Sequence, residues 1–177
     1  ISLTSLNKTT DNSQLITFRI LFGFLLAWQA VLHISTGWVY HNLIEPRFTF
    51  SHIGMEWLQP LPGNGMYWYF GVMAVCGVLV MIGYKYRVTM ATYALLWSGV
   101  YFMQKTSYNN HYYLLMLLSW MMVLFPANAY ASVDARINPE IKSNVMPAWC
   151  RWAVILQLAI VYTCLLYTSP SPRDGLL

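Results

Sequence analysis

Residues 15–35 read LITFRILFGFLLAWQAVLHIS, an apolar run in which Arg19 is the only side chain with a permanent charge. About 20 apolar residues are enough for a helix to cross the hydrocarbon core of a bilayer. Inside lipid, every backbone polar group needs an internal hydrogen bond, so a spanning segment is a helix or a strand of a closed barrel. Because the run lacks the alternation of a barrel strand, it predicts a transmembrane helix.

Further apolar runs follow and predict more helices of the same kind. They cover approximately residues 66–82, 88–104, 112–125 and 148–162. The chain is therefore predicted to be all-α, a polytopic transmembrane helix bundle with about five spans. Gly71 and Gly77 lie within the second run, and we expect both to allow close approach of a neighbouring helix.

The sequence predicts three segments along the chain. Residues 1–14 form a polar N-terminal segment, and residues 15–163 form the transmembrane domain. Residues 164–177 break from an apolar run into Ser-Pro-Ser-Pro-Arg-Asp and resemble a translated sequencing adapter, so we expect a non-native tail. Because the chain starts at Ile1 rather than Met, we also expect it to be a piece of a longer protein.

The composition excludes soluble and disordered proteins. The chain is 58% hydrophobic and 9% charged, whereas soluble domains are about 45–50% apolar and about 25% charged. Disordered chains contain few aromatic residues, but 16% of this chain is aromatic. The formal net charge is +4, yet the basic residues stand singly between apolar runs. We therefore predict membrane lipid as a partner and no nucleic acid.

The positive-inside rule predicts the orientation in the membrane. With the N-terminus in the cytoplasm, Arg47 and Lys105 are the basic residues on the outer side. The basic residues on the inner side are Lys8, Arg19, Lys85, Arg87, Arg136, Lys142 and Arg151. The long loop of residues 36–65, which is predicted to be functional or to carry short interfacial helices, then shares the outer side with residues 105–111.

Lys105 is the first candidate for chemistry. Counted from Val88, a rise of 1.5 Å per residue places Lys105 about 25 Å along its span, within a hydrocarbon core about 30 Å thick. A lysine at that depth is either a snorkelling anchor at a helix end or a functional group. The polar residues crowded into positions 105–111 favour a polar pocket, in which the neutral amine of Lys105 is available as a base.

Three neighbours of Lys105 are further candidates. His111 can carry a proton or bond to a ligand, or it can be a satisfied polar residue at a helix start. Asn109 and Asn110 can orient a substrate oxygen, or they can cap the helix that follows. Both alternatives stay open for each of these side chains.

The remaining acidic and histidine residues of the outer side give weaker signals. Glu45 and Glu56 could each pair with Arg47 or Lys105. The histidines outside the 105–111 segment are His33, His41 and His52. Their spacing does not match that of metal ligands, so no metal site is predicted.

Residues 105–114, KTSYNNHYYL, resemble the central signature of the vitamin K-dependent γ-carboxylase family. The membrane part of that family is also called the horizontally transferred transmembrane domain. Other segments agree with the family in order: RILFG at 19–23, EPRF at 45–48, WLQPLP at 57–62, Tyr86-Arg87 and Ser132–Asp134. The resemblance covers about residues 15–162.

The resemblance implies a reaction and its participants. Enzymes of this family oxygenate a reduced vitamin K with O2, remove a γ-proton from a protein-bound glutamate, and add CO2 to the carbanion. The resemblance makes Lys105 the base that deprotonates the hydroquinone. His111, which can carry a proton, is predicted to be a second catalytic residue. Asn109, Asn110 and Tyr112 are then expected to bind the quinone. The implied cofactor is a vitamin K-type hydroquinone with O2 and CO2 as co-substrates and no metal, the implied partner is a glutamate-containing protein, and the implied location is a bacterial inner membrane.

Gln104 departs from the family pattern, which often has Asp before the signature Lys. The change either favours the neutral amine of Lys105 further or removes a contact that orients it. Two other classes of function stay open. One is a non-catalytic membrane module that binds lipid or a partner protein, and the other is a transporter whose Lys105 contacts an anionic solute.

Overall fold

Helices make up most of the described chain. The computed structural model describes residues 9–46, 55, 57–104 and 109–168, with residues 164–168 described by backbone alone. The helices are α1 (Ser13–Ser35), α2 (Gly65–Ile82), α3 (Tyr86–Met103), α4 (Asn110–Leu124), α5 (Val133–Ile137) and α6 (Ala148–Thr168). A π-helical turn covers Tyr40–Ile44, and a 3-10 turn covers Pro139–Ile141. The predicted helical fold is confirmed, and each predicted apolar run lies in a helix to within a few residues.

Helix length and composition identify fewer candidate spans than predicted. Among the described helices, α1 and α2 are long and apolar enough to cross a membrane, and Ala148–Thr163 of α6 is a shorter apolar helix. Helix α4 has 15 residues, which corresponds to about 22 Å against a hydrocarbon core of about 30 Å. In α3, the hydroxyl groups of Thr89, Thr92 and Ser98 bond to carbonyls of their own helix, and these polar side chains lower its hydropathy.

Helices α1 and α2 pack as an antiparallel pair with unusually close backbones. A Cβ at Gly77 would lie 2.6 Å from the backbone nitrogen of Ala27, and a Cβ at Gly23 would lie 2.5 Å from that of Met81. A side chain at either position would collide with backbone, which confirms the predicted close approach at Gly77. The same prediction is wrong for Gly71, because a Cβ there meets no described atom within 4 Å.

One end of the bundle is organised around a buried arginine. This Arg19 end comprises the first part of α1, the turn between α2 and α3, and residues 125–134. Arg19 is fully buried. Its Nη1 donates to the carbonyl of Ala127 at 2.8 Å, and its Nη2 donates to that of Ala131 at 2.7 Å. The guanidinium group therefore ties α1 to the chain that follows α4.

The turn between α2 and α3 belongs to the Arg19 end. Gly83 ends α2 with a left-handed backbone, φ 70°, and a Cβ there would lie 2.5 Å from the Cβ of Ser132. The carboxylate of Asp134 accepts from the backbone N–H groups of Lys85 at 2.7 Å and Tyr86 at 2.9 Å. Asp134 thus caps α3 from a distant part of the chain, because Lys85 at the N-cap position makes no side-chain cap.

Hydrogen bonds also anchor the start of α1. Asp11 accepts from the backbone N–H of Ser13 at 3.1 Å and from its hydroxyl at 2.7 Å. These bonds, the side-chain one foremost, hold the pKa of the Asp11 carboxyl below its usual value. Asn12 is fully buried, and its N–H donates to the carbonyl of Asn144 at 2.9 Å. The polar N-terminal segment therefore fixes the entry into the first helix.

The chain divides into two compact units. The larger unit is residues 11–144, and the other contains the described residues before 11 and after 144. The strands are β1 (Thr9–Asp11) and β2 (Val145–Pro147), which pair in a two-stranded sheet. The hydroxyl of Thr10 donates to the carbonyl of Met146 at 3.3 Å. This short sheet was not predicted, because strands of three residues are too short to carry a periodic pattern, and the fold remains mostly helical.

Candidate functional site

The other end of the bundle is organised around a buried histidine. This His33 end comprises the last part of α1, the first parts of α2 and α4, and the last part of α3. The side chain of His33 is 7% exposed and is surrounded by the rings of Trp38, Phe70, Trp97 and Tyr112. Their centroids lie 4.5, 5.7, 6.1 and 5.8 Å from that of the imidazole, in that order. These five side chains are named the His33 cluster.

Two hydrogen bonds determine the tautomer of His33. Its Nδ1 lies 2.7 Å from the backbone oxygen of Gln29, and its Nε2 lies 3.1 Å from the hydroxyl of Tyr112. A carbonyl oxygen can only accept, so Nδ1 carries a proton. In the neutral imidazole, Nε2 then accepts, and the hydroxyl of Tyr112 donates to it.

Tyr112 is also held through its backbone. The indole Nε1 of Trp97 donates to the carbonyl of Tyr112 at 3.1 Å, and this bond joins the middle of α3 to the first turn of α4. The side chain of Tyr112 is half-buried. The structure therefore brings this predicted quinone-binding residue against His33 and Trp97.

Asn109, Asn110 and His111 lie at the exposed start of α4. Asn109 is the N-cap residue of α4, and its Oδ1 accepts from the backbone N–H of His111 at 3.0 Å. The Nδ1 of His111 lies 2.9 Å from the same oxygen. Asn109 thus caps the helix, which was one of the two roles predicted for it. Asn110 is the first residue of the helix, and a role of either residue in binding stays a prediction.

Lys105 and the signature residues 106–108 lie outside the described residues. The described residue before them, Gln104, is 8% exposed, and its Nε2 donates to the carbonyl of Asn42 at 3.1 Å. A carboxylate at position 104 could not donate that bond. Gln104, where the family often has Asp, therefore makes a hydrogen bond to Asn42 that Asp could not make. Because α3 ends and α4 begins at the His33 end, Gln104 and Asn109 both lie there.

The predicted charged pairs of the outer side are described only in part. Glu45 accepts from Nδ1 of His41 at 2.8 Å, and both side chains are exposed. The residues Arg47, His52 and Glu56 lie outside the described residues, so their pairing stays a prediction. Within the part of the chain that the structure describes, no group of three or more His, Cys, Asp or Glu side chains is placed to hold a metal ion.

A cavity lies in the predicted functional loop of residues 36–65. Its volume is about 220 Å³, and it is lined by the π-helical turn at Leu43 and Ile44 and by residues 59–63. The backbone nitrogen of Leu61 donates to the sulfur of Met66 at 3.4 Å, which connects this loop to the first turn of α2. Residues 47–54 of the same loop lie outside the described residues.

The His33 cluster was not predicted from the sequence. His33 was considered only as a metal ligand, and Trp38 and Trp97 fell into apolar or interfacial segments. One signal could have revealed the cluster. Consecutive spans alternate in direction, so the end of α1 and the start of α4 lie on the same side of the bundle, which places His33 on the side of the signature residue Tyr112.

A family model described as the HTTM domain matches residues 7–166, which is most of the chain. The chain belongs to the HTTM domain family. HTTM is the domain of the vitamin K-dependent γ-carboxylase family, so the resemblance that rests on residues 105–114 is confirmed. No solved structure matches the chain.

Membership in the HTTM family agrees with the length and apolar composition of two helices. HTTM is a membrane domain, and α1 and α2 are the helices whose length and composition suit a bilayer. The chain is therefore a membrane protein, and the described residues on either side of 105–108, Gln104 and Asn109, lie at the same end of the bundle as the His33 cluster.

Proposed function

We propose that this HTTM domain is the membrane part of an enzyme that couples epoxidation of a vitamin K-type hydroquinone to carboxylation of glutamate. One oxygen atom of O2 enters the epoxide, and the other leaves as water. The γ-carbon of glutamate loses a proton and gains CO2. The observation that carries the proposal is the family match over residues 7–166, which includes the signature at residues 105–114.

The chemistry of the His33 cluster fits a hydroquinone. Aromatic side chains pack against flat rings in offset or edge-to-face geometry, and the half-buried Trp38 supplies such a surface beside Tyr112. The hydroxyl of Tyr112 can accept from a phenolic hydroxyl, and the apolar surface of the bundle suits a substrate that arrives through the bilayer. When bound, the hydroquinone supplies the reducing equivalents for the reaction with O2.

The predicted site residues take distinct roles in the proposal. Lys105 accepts a proton from the hydroquinone, and His111 carries protons at the exposed start of α4. Asn109 orients the imidazole of His111 through the 2.9 Å contact between its Oδ1 and Nδ1. Asn110 and Tyr112 contact the substrate, and a glutamate-containing protein is the partner. No metal takes part.

We also propose that α1–α4 and α6 form five membrane spans, with the N-terminus in the cytoplasm of a bacterium. The Arg19 end then faces the cytoplasm. Lys85 and Arg87, in the turn and first residues of α3, support this orientation because basic residues favour the inner side. The His33 end faces the outer side. The short helix α4 is accommodated by local thinning of the bilayer.

The test is epoxide formation by the chain in membrane vesicles. The vesicles receive reduced 2-methyl-1,4-naphthoquinone, O2, bicarbonate and a glutamate-containing peptide, and the epoxide is measured by chromatography. We expect Lys105→Ala to lower the rate about 100-fold or more, the size of a lost general base. His111→Ala should also lower the rate. The matched control is Lys142→Ala, which removes an exposed lysine and should leave the rate unchanged.

Three results would contradict the proposal in different ways. An unchanged epoxide rate in Lys105→Ala would remove Lys105 from the mechanism and leave the reaction in place. Uptake of an anionic solute without epoxide would favour a transporter. Specific binding of lipid or a partner protein, with neither epoxide nor uptake, would favour a non-catalytic membrane module.

A further inference from the structure

His33 has no role in the mechanism described above, yet it is a buried titratable side chain at the His33 end. It is 7% exposed, and its two ring nitrogens are bonded to the Gln29 carbonyl and the Tyr112 hydroxyl. Among the described residues, His41 is also at this end, but it is exposed and pairs with Glu45. We therefore asked what a buried imidazole with both ring nitrogens bonded does for its partner Tyr112.

The bonds of His33 determine what the hydroxyl of Tyr112 can offer a ligand. A phenolic hydroxyl has one donor and two acceptor lone pairs. Its donor is directed to Nε2 of His33 at 3.1 Å, because Nδ1 is committed to the backbone oxygen of Gln29. The oxygen of Tyr112 is consequently a hydrogen-bond acceptor for any further partner. The side chain of Tyr112 is half-buried, so part of it is accessible at the surface of the bundle.

An acceptor distinguishes the two redox states of a quinone. A hydroquinone carries O–H donors, whereas the oxidised quinone has only carbonyl acceptors. An oxygen that accepts but does not donate bonds to the hydroquinone and leaves the quinone carbonyl without a partner. Leaving a buried polar group unpaired is costly, so such an oxygen selects the reduced form.

We propose that His33 is a positioning residue that holds the Tyr112 hydroxyl as an acceptor and thereby selects the hydroquinone over the oxidised quinone. This inference rests on the proposed function, because it takes the substrate class from it. His33 acts through Tyr112 and does not itself contact the substrate. The selectivity belongs to binding and is separate from the chemistry assigned to Lys105.

The test is anaerobic binding of 2-methyl-1,4-naphthoquinone, reduced and oxidised, to the full chain in detergent by equilibrium dialysis. One net hydrogen bond corresponds to about a tenfold preference of the wild-type chain for the reduced form. Tyr112→Phe should remove that preference. His33→Leu should remove it as well, because the freed hydroxyl of Tyr112 can then donate to the quinone carbonyl. His33→Gln keeps an acceptor oxygen and should restore most of the preference.

The control is Tyr113→Phe, which alters the next tyrosine of α4. Tyr113 is 41% exposed and packs against Tyr101, so the preference should persist. Equal binding of both redox states by the wild-type chain would overturn the inference, and so would a preference that survives Tyr112→Phe. Selective binding without any epoxide would support the inference while contradicting the proposed catalysis. A chain that binds neither form would refute both.

Discussion

The two ends of the bundle are stabilised by different kinds of contact. At the Arg19 end, a fully buried guanidinium group and the carboxylate of Asp134 bind backbone groups of distant segments. At the His33 end, aromatic rings do most of the packing, and the side chain of His33 makes one hydrogen bond to another helix. The first arrangement satisfies backbone groups, whereas the second leaves the hydroxyl oxygen of Tyr112 able to accept from a ligand.

Two residues with strained backbone conformations also set the Arg19 end apart from the His33 end. Lys85 and Ala131 both have left-handed backbone conformations, with φ of 43° and 48°. Such a conformation costs a non-glycine residue about 1–2 kcal/mol. Hydrogen bonds from Lys85 to Asp134 and from Arg19 to Ala131 hold the two residues in place. The contacts of the Arg19 end therefore hold two strained residues in fixed conformations.

The largest expected effect on stability comes from Arg19→Leu. The substitution leaves the buried carbonyl of Ala127 without its donor and removes the bond to the part-buried carbonyl of Ala131. An unsatisfied buried group costs about 1–3 kcal/mol and a lost hydrogen bond about 1 kcal/mol, so we expect a loss of about 2–4 kcal/mol in the free energy of unfolding. Thermal unfolding in detergent, followed by circular dichroism, measures the loss.

The matched control for Arg19 is Arg87→Leu, which removes an exposed arginine at the same end. Arg19→Lys keeps the positive charge but lacks the two-nitrogen fork, so its stability should lie between those of the wild type and Arg19→Leu. If Arg19→Leu and Arg87→Leu unfolded at the same temperature, the guanidinium bonds would not be what holds this end together.

Two glycines with similar positive φ angles allow a direct comparison of the two ends. Gly83 at the Arg19 end has φ 70°, and Gly63, just before α2 at the His33 end, has φ 62°. A Cβ at Gly83 would lie 2.5 Å from that of Ser132, whereas a Cβ at Gly63 meets no described atom within 4 Å. Both alanine variants pay about 1–2 kcal/mol of backbone strain.

Gly83→Ala should cost more than Gly63→Ala, because overpacking adds about 1–3 kcal/mol. Denaturant titration of both variants in detergent measures the difference. Equal destabilisation would show that the Arg19 end can relax around an added methyl group. That result would contradict the expectation that the backbone around Gly83 is too tightly packed to move.

The helices could be predicted from the sequence more fully than the contacts between them. Apolar runs located the long helices because lipid and helix packing both require continuous apolar surface. The cap of α3 by Asp134 could not be predicted, because its partners Lys85 and Tyr86 are distant in the chain. Gly71 and Gly77 have the same local sequence signal, and only the packing direction of α2 separates them. The His33 cluster likewise depends on which helix ends meet.

The smallest expected effects compare the caps of two successive helices. Asp134 accepts from two backbone N–H groups at the start of α3, whereas Asn109 accepts from one at the start of α4. Loss of a cap costs about 0.5–2 kcal/mol, so Asp134→Ala should fall in the upper half of that range and Asn109→Ala in the lower half.

The effect on naphthoquinol epoxidation should have the opposite order, because Asn109 orients His111 and Asp134 lies at the other end. Measuring the unfolding temperature and the epoxide rate of both variants separates the two effects. If Asp134→Ala lowered the epoxide rate more than Asn109→Ala did, the division of the bundle into a structural end and a functional end would be wrong.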